Sequence, residues 1–524
     1  MGILIMDLKS NDKFMIGAAV FIVLVLVLSG LYYGFAYFGE ETEVTDEEPV
    51  EEVEIDDRIS PLTTQAVSLD IDRIRKKGIE SQMRKIGTAW KNAPSYYFEA
   101  VLHDGVWTSH EIDEWDTDYV GWQAFRKVDE ELETCDIEIT IFENQKRLFG
   151  SNSVAMDSFT ITYDFRTGRW TGDDSFNDSD GMGYYNGEDF EIWFDVHQSD
   201  ADGDGIPFWT EVNVLGTDPE VDDRYKDPDD DGIPTAWEWK WGYDPMSFDN
   251  HTSLDPDNDG IPNSEEYKLR KYLANPYRQD IFVEVDFMEK APGLFGKEHV
   301  FWEESQQMVI DKFSDQGITL HIDDGVMGGG GEYLDFHEEY ILQEGGIGSE
   351  YYKYHFADDR KGVFRYGVIV HSAGWAHPQD YKLAYDVISV PCNAKFYRTV
   401  FFPPAVTPRM QRIAMSCGFM HELGHTLSLR GDTNPGIDNG TQIRRGMEGI
   451  PFLTQLQMQQ EAIETWKNYE SCMNYNKFGS YVLGYSDGTN GENDVDDWSM
   501  IDLTYFKRHE PDGVEGIVDE LDEE

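Results

Sequence analysis

The sequence predicts a multidomain chain. A transmembrane helix, a β-sandwich-like domain, a calcium-repeat connector and an α/β domain follow one another. Three observations predict it. The stretch from Phe14 to Phe38, FMIGAAVFIVLVLVLSGLYYGFAYF, carries no charge. Three acidic repeats with aspartate at alternate positions recur between Asp200 and Glu266. Beyond residue 279, apolar strand-like runs alternate with helical patterns up to a helix holding His-Glu-Leu-Gly-His.

The 524 residues suffice for roughly three domains at about 150 residues each. Acids outnumber bases 102 to 42, for a net charge of −60. Nucleic acid is excluded as a partner on that ground, because phosphate binding needs basic patches. Such acidity suits a divalent-cation binder or a protein of high-salt surroundings, and the ordered spacing of many acids favours cations. Four cysteines (Cys135, Cys392, Cys417, Cys472) are too few for a disulfide scaffold, and one bridge among the last three stays open.

As a helix, residues 14–38 would span about 37 Å, more than the roughly 30 Å hydrocarbon core. The segment is longer than a signal-peptide core and no A-x-A site follows, so a retained anchor is expected, with a cleaved signal or a buried helix as alternatives. Tyr32, Tyr33 and Tyr37 fit an interfacial belt. Lys9 and Lys13 precede it, and no base follows until Arg58. The positive-inside rule then leaves residues 1–13 in the cytoplasm and the bulk of the chain extracellular at the cell membrane. Residues 39–59 read as an acidic stalk.

Residues 60–193 are expected to be β-rich. A short helix is predicted at IDRIRKKGIESQMRKIGTAW, followed by the alternating stretches SYYFEAVLHD, CDIEITIFE, DSFTITYDFRTGRW and DFEIWFDVH. The acid-rich TGDDSFNDSDG (171–181) reads as a solvated turn or a calcium loop.

Residues 194–278 hold the repeats DADGDGIPFWTE, DPDDDGIPTAWE and DPDNDGIPNSEE, 27 and 28 residues apart. Each sets aspartates at positions 1, 3 and 5, glycine at 6 and glutamate at 12. This places Asp200, Asp202, Asp204 and Glu211 in the first loop, Asp227, Asp229, Asp231 and Glu238 in the second, and Asp255, Asp257, Asp259 and Glu266 in the third. A loop that curls around an ion brings such carboxylates together as six to eight hard oxygens for Ca²⁺. One such loop is compatible with a plain acidic turn; three in register argue for calcium. The repeats resemble thrombospondin type 3 repeats, and in part EF-hands. That resemblance implies that calcium replaces a hydrophobic core and stiffens the segment into a spacer.

Residues 279–510 are expected to carry the chemistry. QDIFVEVDFME, ITLHIDDG, VFRYGVIVHSA and YDVISVPC read as strands, and HVFWEESQQMVIDKFSDQG as a helix ending at Gly317. A helix beginning near Pro408 carries His421 and His425 one turn apart, a spacing that lets two imidazoles share one zinc ion. Glu422 is then set to take a proton from a water whose pKa the zinc lowers. A surface helix that happens to hold two histidines is the bland alternative, against which the apolar setting of this helix argues.

SCMNY (471–475) follows about fifty residues later. Together with the HExxH helix and the strand–helix–strand prelude, it resembles the Met-turn of the metzincin zinc endopeptidases, over roughly two fifths of the chain. The resemblance implies an α/β metzincin-like catalytic domain with Met473 beneath the metal and Tyr475 near the zinc or the oxyanion; both residues are otherwise simple core. The family continues HExxHxxGxxH or ends in Asp, whereas here Ser428 stands at the glycine and Gly431 at the third ligand. A turn at Gly431 that brings Asp432 to the zinc is one account, Glu464 from the following helix is a second, and another ligand or a degraded site is the third.

Asp487, Asn490, Asn493 and Asp494 read as a calcium site or a helix cap, GVMGGGGEY (325–333) as a flexible loop, and residues 511–524 as an acidic tail. The expectation is a membrane-anchored extracellular zinc endopeptidase acting on a protein or peptide substrate, with Zn²⁺ and Ca²⁺ as cofactors. The rival from another class is a calcium-dependent cell-surface binding or structural protein with an inactive metalloprotease-like domain. Hydrolysis of a non-peptide amide is a further alternative.

Overall fold

Strand formation begins earlier than the sequence pattern suggests. The stretch expected to open a helix instead starts as β1 (Ala66–Lys76), and among its described residues only α1 (Ile79–Arg84) is helical. The bases in IDRIRK are buried but paired. Arg73 donates to Asp116 at 2.6 and 2.8 Å, Lys76 to Asp189 at 2.7 Å, and Arg75 ion-pairs with Glu191. The computed structural model describes residues 55–84, 94–117, 120–146, 151–175, 181–294, 296–340, 346–372, 386–391, 407–439, 451–478 and 482–508. The expected anchor (14–38), cytoplasmic tail, most of the stalk, Cys392 and the acidic tail lie outside the described residues.

Two antiparallel five-stranded sheets come first. One joins β1, β4 (Asp116–Thr117), β5 (Trp122–Lys127), β9 (Gly183–Asn186) and β10 (Phe190–Gln198). The other runs β3 (Gly105–Thr108), β2 (Tyr96–Leu102), β6 (Thr134–Lys146), β7 (Ser151–Asp164), β8 (Arg169–Gly172). Leu69, Ile71, Ile192 and Phe194 from the first meet Phe98, Ile137, Ile139 and Ile161 from the second in one core. Period-two alternation puts those residues on one face of each strand.

The third sheet is parallel, in the order β12 (Thr319–Asp323), β11 (Asp280–Met288), β14 (Phe364–Val370), β15 (Val387–Pro391), with β13 (Tyr333–Leu334) on the end of β11. All nine residues of β11 are buried, as a strand covered on both faces requires. Ile281, Val283 and Val285 face a cluster with Met308 and Phe313 of α4 (Glu303–Ser314) and Phe419 and Leu423 of α6 (Pro408–Thr426). Phe282 and Met288 face the other way, with Tyr366 and Val368 and with Tyr351 of α5 (Ile347–Tyr354).

The expected fold class needs correction. The described residues do not form a string of separate modules, because the antiparallel sheets, the acidic repeats and the parallel sheet share packed seams. The chain is a mixed β-sheet and helix protein with several antiparallel sheets, and Asp56–Glu524 forms one compact unit. Among the described residues no helix is long and apolar enough to cross a membrane. The physical reason is that the seams are themselves core. Ile233, Trp237 and Trp241, of the repeats and their α2 (Thr235–Trp241), bury against Tyr184 and Trp193 of the first sheet and Met182 just before β9. The repeat segment is therefore a packed wedge rather than a core-less spacer.

A buried polar knot closes a second seam. Arg75 and Glu191 are fully buried, and Tyr184 and Ser314 of α4 both donate to Glu191. Glu191→Ala would leave the Arg75 guanidinium buried beside lost partners and is expected to cost about 3–5 kcal/mol of unfolding free energy in chemical denaturation.

Candidate functional site

Helix α6 starts where chemistry allows it. The Thr407 side chain accepts from the Met410 N–H, and Pro408 occupies the first turn, where its missing N–H costs nothing. Residues four apart share a face, so His421 and His425 stack one above the other, ring centroids 4.8 Å apart and nearly perpendicular. The helix ends at Leu427. Ser428 then turns left-handed at φ 72°, in the position where the family pattern has glycine, so Ser428 rather than Gly431 makes the turn. Its hydroxyl donates to the Met500 carbonyl.

Each imidazole is oriented by its Nδ1, which donates to a backbone carbonyl: His421 to Cys472 at 2.9 Å and His425 to Leu429 at 2.7 Å. That tautomer leaves both Nε2 atoms as lone-pair donors, the arrangement that metal-binding histidines adopt. The two Nε2 atoms converge on Asp438, at 3.3 and 3.6 Å from its carboxylate oxygens. The three ligand atoms lie within 4.8 Å of one another.

Asp438 is the residue that the sequence reading missed. Its N–H donates to the Met473 carbonyl at 3.1 Å, and Asn439 beside it donates to Asn474 at 2.7 Å. The loop after α6 is thus strapped to the SCMNY turn. Asp432, the expected third ligand, is 65% exposed and paired with Arg430; Glu464, the alternative, is 73% exposed and paired with Lys467. Neither reaches the imidazoles. No local pattern separates Asp438 from Asp432, because the choice is made by a contact thirty-five residues away.

Met473 is fully buried directly under the helix. A methyl group added at Gly424 would lie 2.8 Å from its sulfur and 3.0 Å from the Tyr485 hydroxyl. The Tyr475 ring stands 5.2 Å from that of His421, and its hydroxyl bonds to the Asp438 carboxylate. Burial disfavours an imidazolium at His421, yet Asp438 and Glu422 outweigh it and raise the pKa to about 9. Burial opposes ionisation of Asp438, but the two histidines hold it down at about 2. Burial raises the Glu422 carboxyl above the usual range, against the pull of both histidines. The pocket is built for positive charge.

The three repeats fold alike. In each, the first aspartate accepts from the glycine N–H (Gly205, Gly232 and Gly260, at 2.9, 2.9 and 3.0 Å), and the fifth-position aspartate accepts from the isoleucine that follows. The glycines sit at φ 90° to 96°, which a side chain resists. The fifth-position aspartates also accept from the N–H groups of Asp223, Asp249 and Asp280, a recurrent closure onto a downstream acid that the motif alone did not reveal. Buried oxygens of Asp202, Asp229, Asp257, Glu238 and Glu266 make no hydrogen bond. Burial first, and neighbouring acids second, push Glu211 and Asp259 up to about 8 and Asp257 to about 10.

Other acid-rich and glycine-rich stretches make turn hydrogen bonds among the described residues. Asp173 and Asp174 serve turn hydrogen bonds to Thr160, Trp170 and Tyr184. Asp494 bonds to Ser486 and Asn490, and Asn493 to the Thr465 carbonyl. The glycine-rich loop is held by Asp323, which accepts from Gly325, Met327 and Gly329. Cys135, Cys417 and Cys472 are buried free thiols.

No protein-family model and no curated protein matches the chain. Among solved structures it is similar to the Drosophila C2-DSL-EGF1 structure, at 7% identity over 26% of this chain and 67% of that one, with a TM-score of 0.19. A likeness that slight carries no argument.

Gly424→Ala is expected to cost about 1–3 kcal/mol by overpacking Met473. In thermal unfolding, Met473→Ala in the same background is expected to recover part of that loss, and a double-mutant cycle would measure the coupling.

Proposed function

We propose that the chain is a zinc-dependent endopeptidase with a metal centre of the metzincin kind, stabilised by calcium in its acidic repeats. The observation that carries this reading is the convergence of two Nε2 lone pairs and the Asp438 carboxylate on one spot, with Glu422 on the same helix. Two imidazoles and one carboxylate fit zinc with a position left open for substrate chemistry. Zinc held there supplies Lewis acidity and lowers the pKa of a water.

The residues of the chain do the rest. Glu422, its carboxyl made more basic by burial, accepts a proton from the attacking water and hands it to the leaving amine nitrogen. Tyr475, beside His421 and bonded to Asp438, is placed to donate to an oxyanion at the reacting carbon. Met473 closes the floor and keeps the histidine-bearing turn at a fixed height.

The unpartnered carboxylate oxygens of the repeats support calcium there. Oxygens so crowded and buried repel one another unless a hard cation lies among them.

Glu422→Gln is expected to lower cleavage of an unstructured protein substrate by at least 10³-fold while metal analysis still finds the catalytic zinc. Asp438→Ala is expected to lose that zinc, and Asp432→Ala to keep both zinc and activity. Full cleavage by Glu422→Gln would remove Glu422 from the mechanism, and an unaltered chain that cleaves nothing and holds no zinc would sink the peptidase reading and leave a binding protein in its place. Chelation by a calcium-selective agent is expected to lower the melting temperature, and added calcium to restore it.

A further inference from the structure

The middle repeat departs from its two neighbours in one side chain. We propose that its buried half, Asp231, Glu238 and His251, is a mixed oxygen–nitrogen site that takes a borderline divalent metal, zinc foremost, while the repeats at Asp200 and Asp255 keep calcium. This rests on the calcium reading of the repeats for its contrast.

His251 is 1% exposed and Glu238 is 0% exposed. The His251 Nε2 lies 3.2 Å from an Asp231 oxygen and 3.5 Å from a Glu238 oxygen. Neither Nε2 nor either Glu238 oxygen makes a hydrogen bond. One ligand atom from each of the three residues falls within 4.8 Å of the others. Calcium selects hard oxygens, whereas an imidazole nitrogen among carboxylates suits zinc and its transition-metal neighbours.

The surroundings fix the ring for that task. The edge of the imidazole is held against Tyr243 (4.8 Å) and Trp237 (5.9 Å), both nearly perpendicular to it. Its Nδ1 stands 3.0 Å from the Asn263 amide, whose oxygen has no partner in the assigned orientation. Turning that amide over, an assignment that hydrogen-bond logic decides, lets Nδ1–H donate to Oδ1 and leaves Nε2 as the ligand atom. Asn263 belongs to the third repeat, so the ring also ties two loops together. The counterparts of His251, two residues after Asp223 and Asp280, are Tyr225, which is exposed, and Phe282, which has no donor atom, so neither brings a nitrogen to its loop.

Metal analysis of the full chain, equilibrated with zinc and calcium together and then gel-filtered, tests the proposal. Two zinc and two calcium ions per chain are expected. His251→Gln is expected to drop zinc to one and raise calcium to three, because the middle loop then presents oxygens only. His421→Ala is expected to drop zinc to one without changing calcium, and the double variant to hold none. If His251→Gln fails to fold, cobalt titration of His421→Ala decides: visible absorption of a nitrogen-ligated ion supports the site, and its absence overturns it. One zinc and three calcium ions in the unaltered chain would overturn the mixed site and leave the calcium reading intact. Two zinc and no calcium, with one zinc lost in His251→Gln, would support the mixed site while sinking the calcium reading.

Discussion

A carboxylate buried without a counter-charge costs several kcal/mol, a large part of a domain's whole stability. This chain, with 102 acids against 42 bases, meets that cost repeatedly inside its one compact unit. It answers in two ways. Where a base is in reach, the acid is paired and stitched into a network, as Glu191 is with Arg75, Tyr184 and Ser314. Where none is in reach, carboxylates gather around a common point, as in the repeats at Asp200 and Asp255. The second answer leaves oxygens with no protein donor, and such oxygens are the chemical signature of a cation site.

The candidate centre depends on precision that a helix alone does not supply. The α-helical period aligns His421 and His425, but the carbonyls of Cys472 and Leu429 set their tautomers and ring angles. Cys472 and Met473 belong to one tight turn, so a single backbone segment orients the first histidine, supports Gly424 and holds Asp438 through its N–H. Arg365 of β14 donates to Thr426 and to the Leu503 carbonyl, fixing the C-terminal end of the helix to the parallel sheet. Both histidines are thereby anchored on a rigid helix and Asp438 is strapped to the SCMNY turn, which favours a fixed site geometry.

What the sequence made legible was what local geometry decides. HExxH, the Asp-x-Asp-x-Asp-Gly spacing and the fully apolar β11 are properties of neighbouring residues, and helix period, loop curl and strand burial follow from them. What it hid was settled by distant contacts. Asp438 owes its place to Met473, and the closure of each repeat to an acid about twenty residues on. The first strand was misread for the same reason. Its arginines and lysine resemble the polar face of a helix until Asp116, Glu191 and Asp189 are seen to neutralise them inside the fold. The expected modularity exceeds what the structure shows because Trp237 and Trp241 of the repeats pack on Tyr184 and Trp193, a contact between distant segments that no local pattern reveals.

The third repeat shows how the acidic loops and the histidine pair are linked mechanically. Asp259 accepts from the N–H of Asp280, the first residue of β11, and Asp280 in turn accepts from His321 on β12 and from the Asn275 N–H. A cation drawn in by Asp255, Asp257, Asp259 and Glu266 would fix the start of the strand on which the parallel sheet is built. β11 pairs in register with β14, and β14 carries Arg365, which reaches the last turn of the histidine-bearing helix. Loss of that cation would free four mutually repelling carboxylates beneath the central strand. The resulting strain has a short, hydrogen-bonded route to the metal-ligand geometry, so the acidic repeats act as part of the site's foundation.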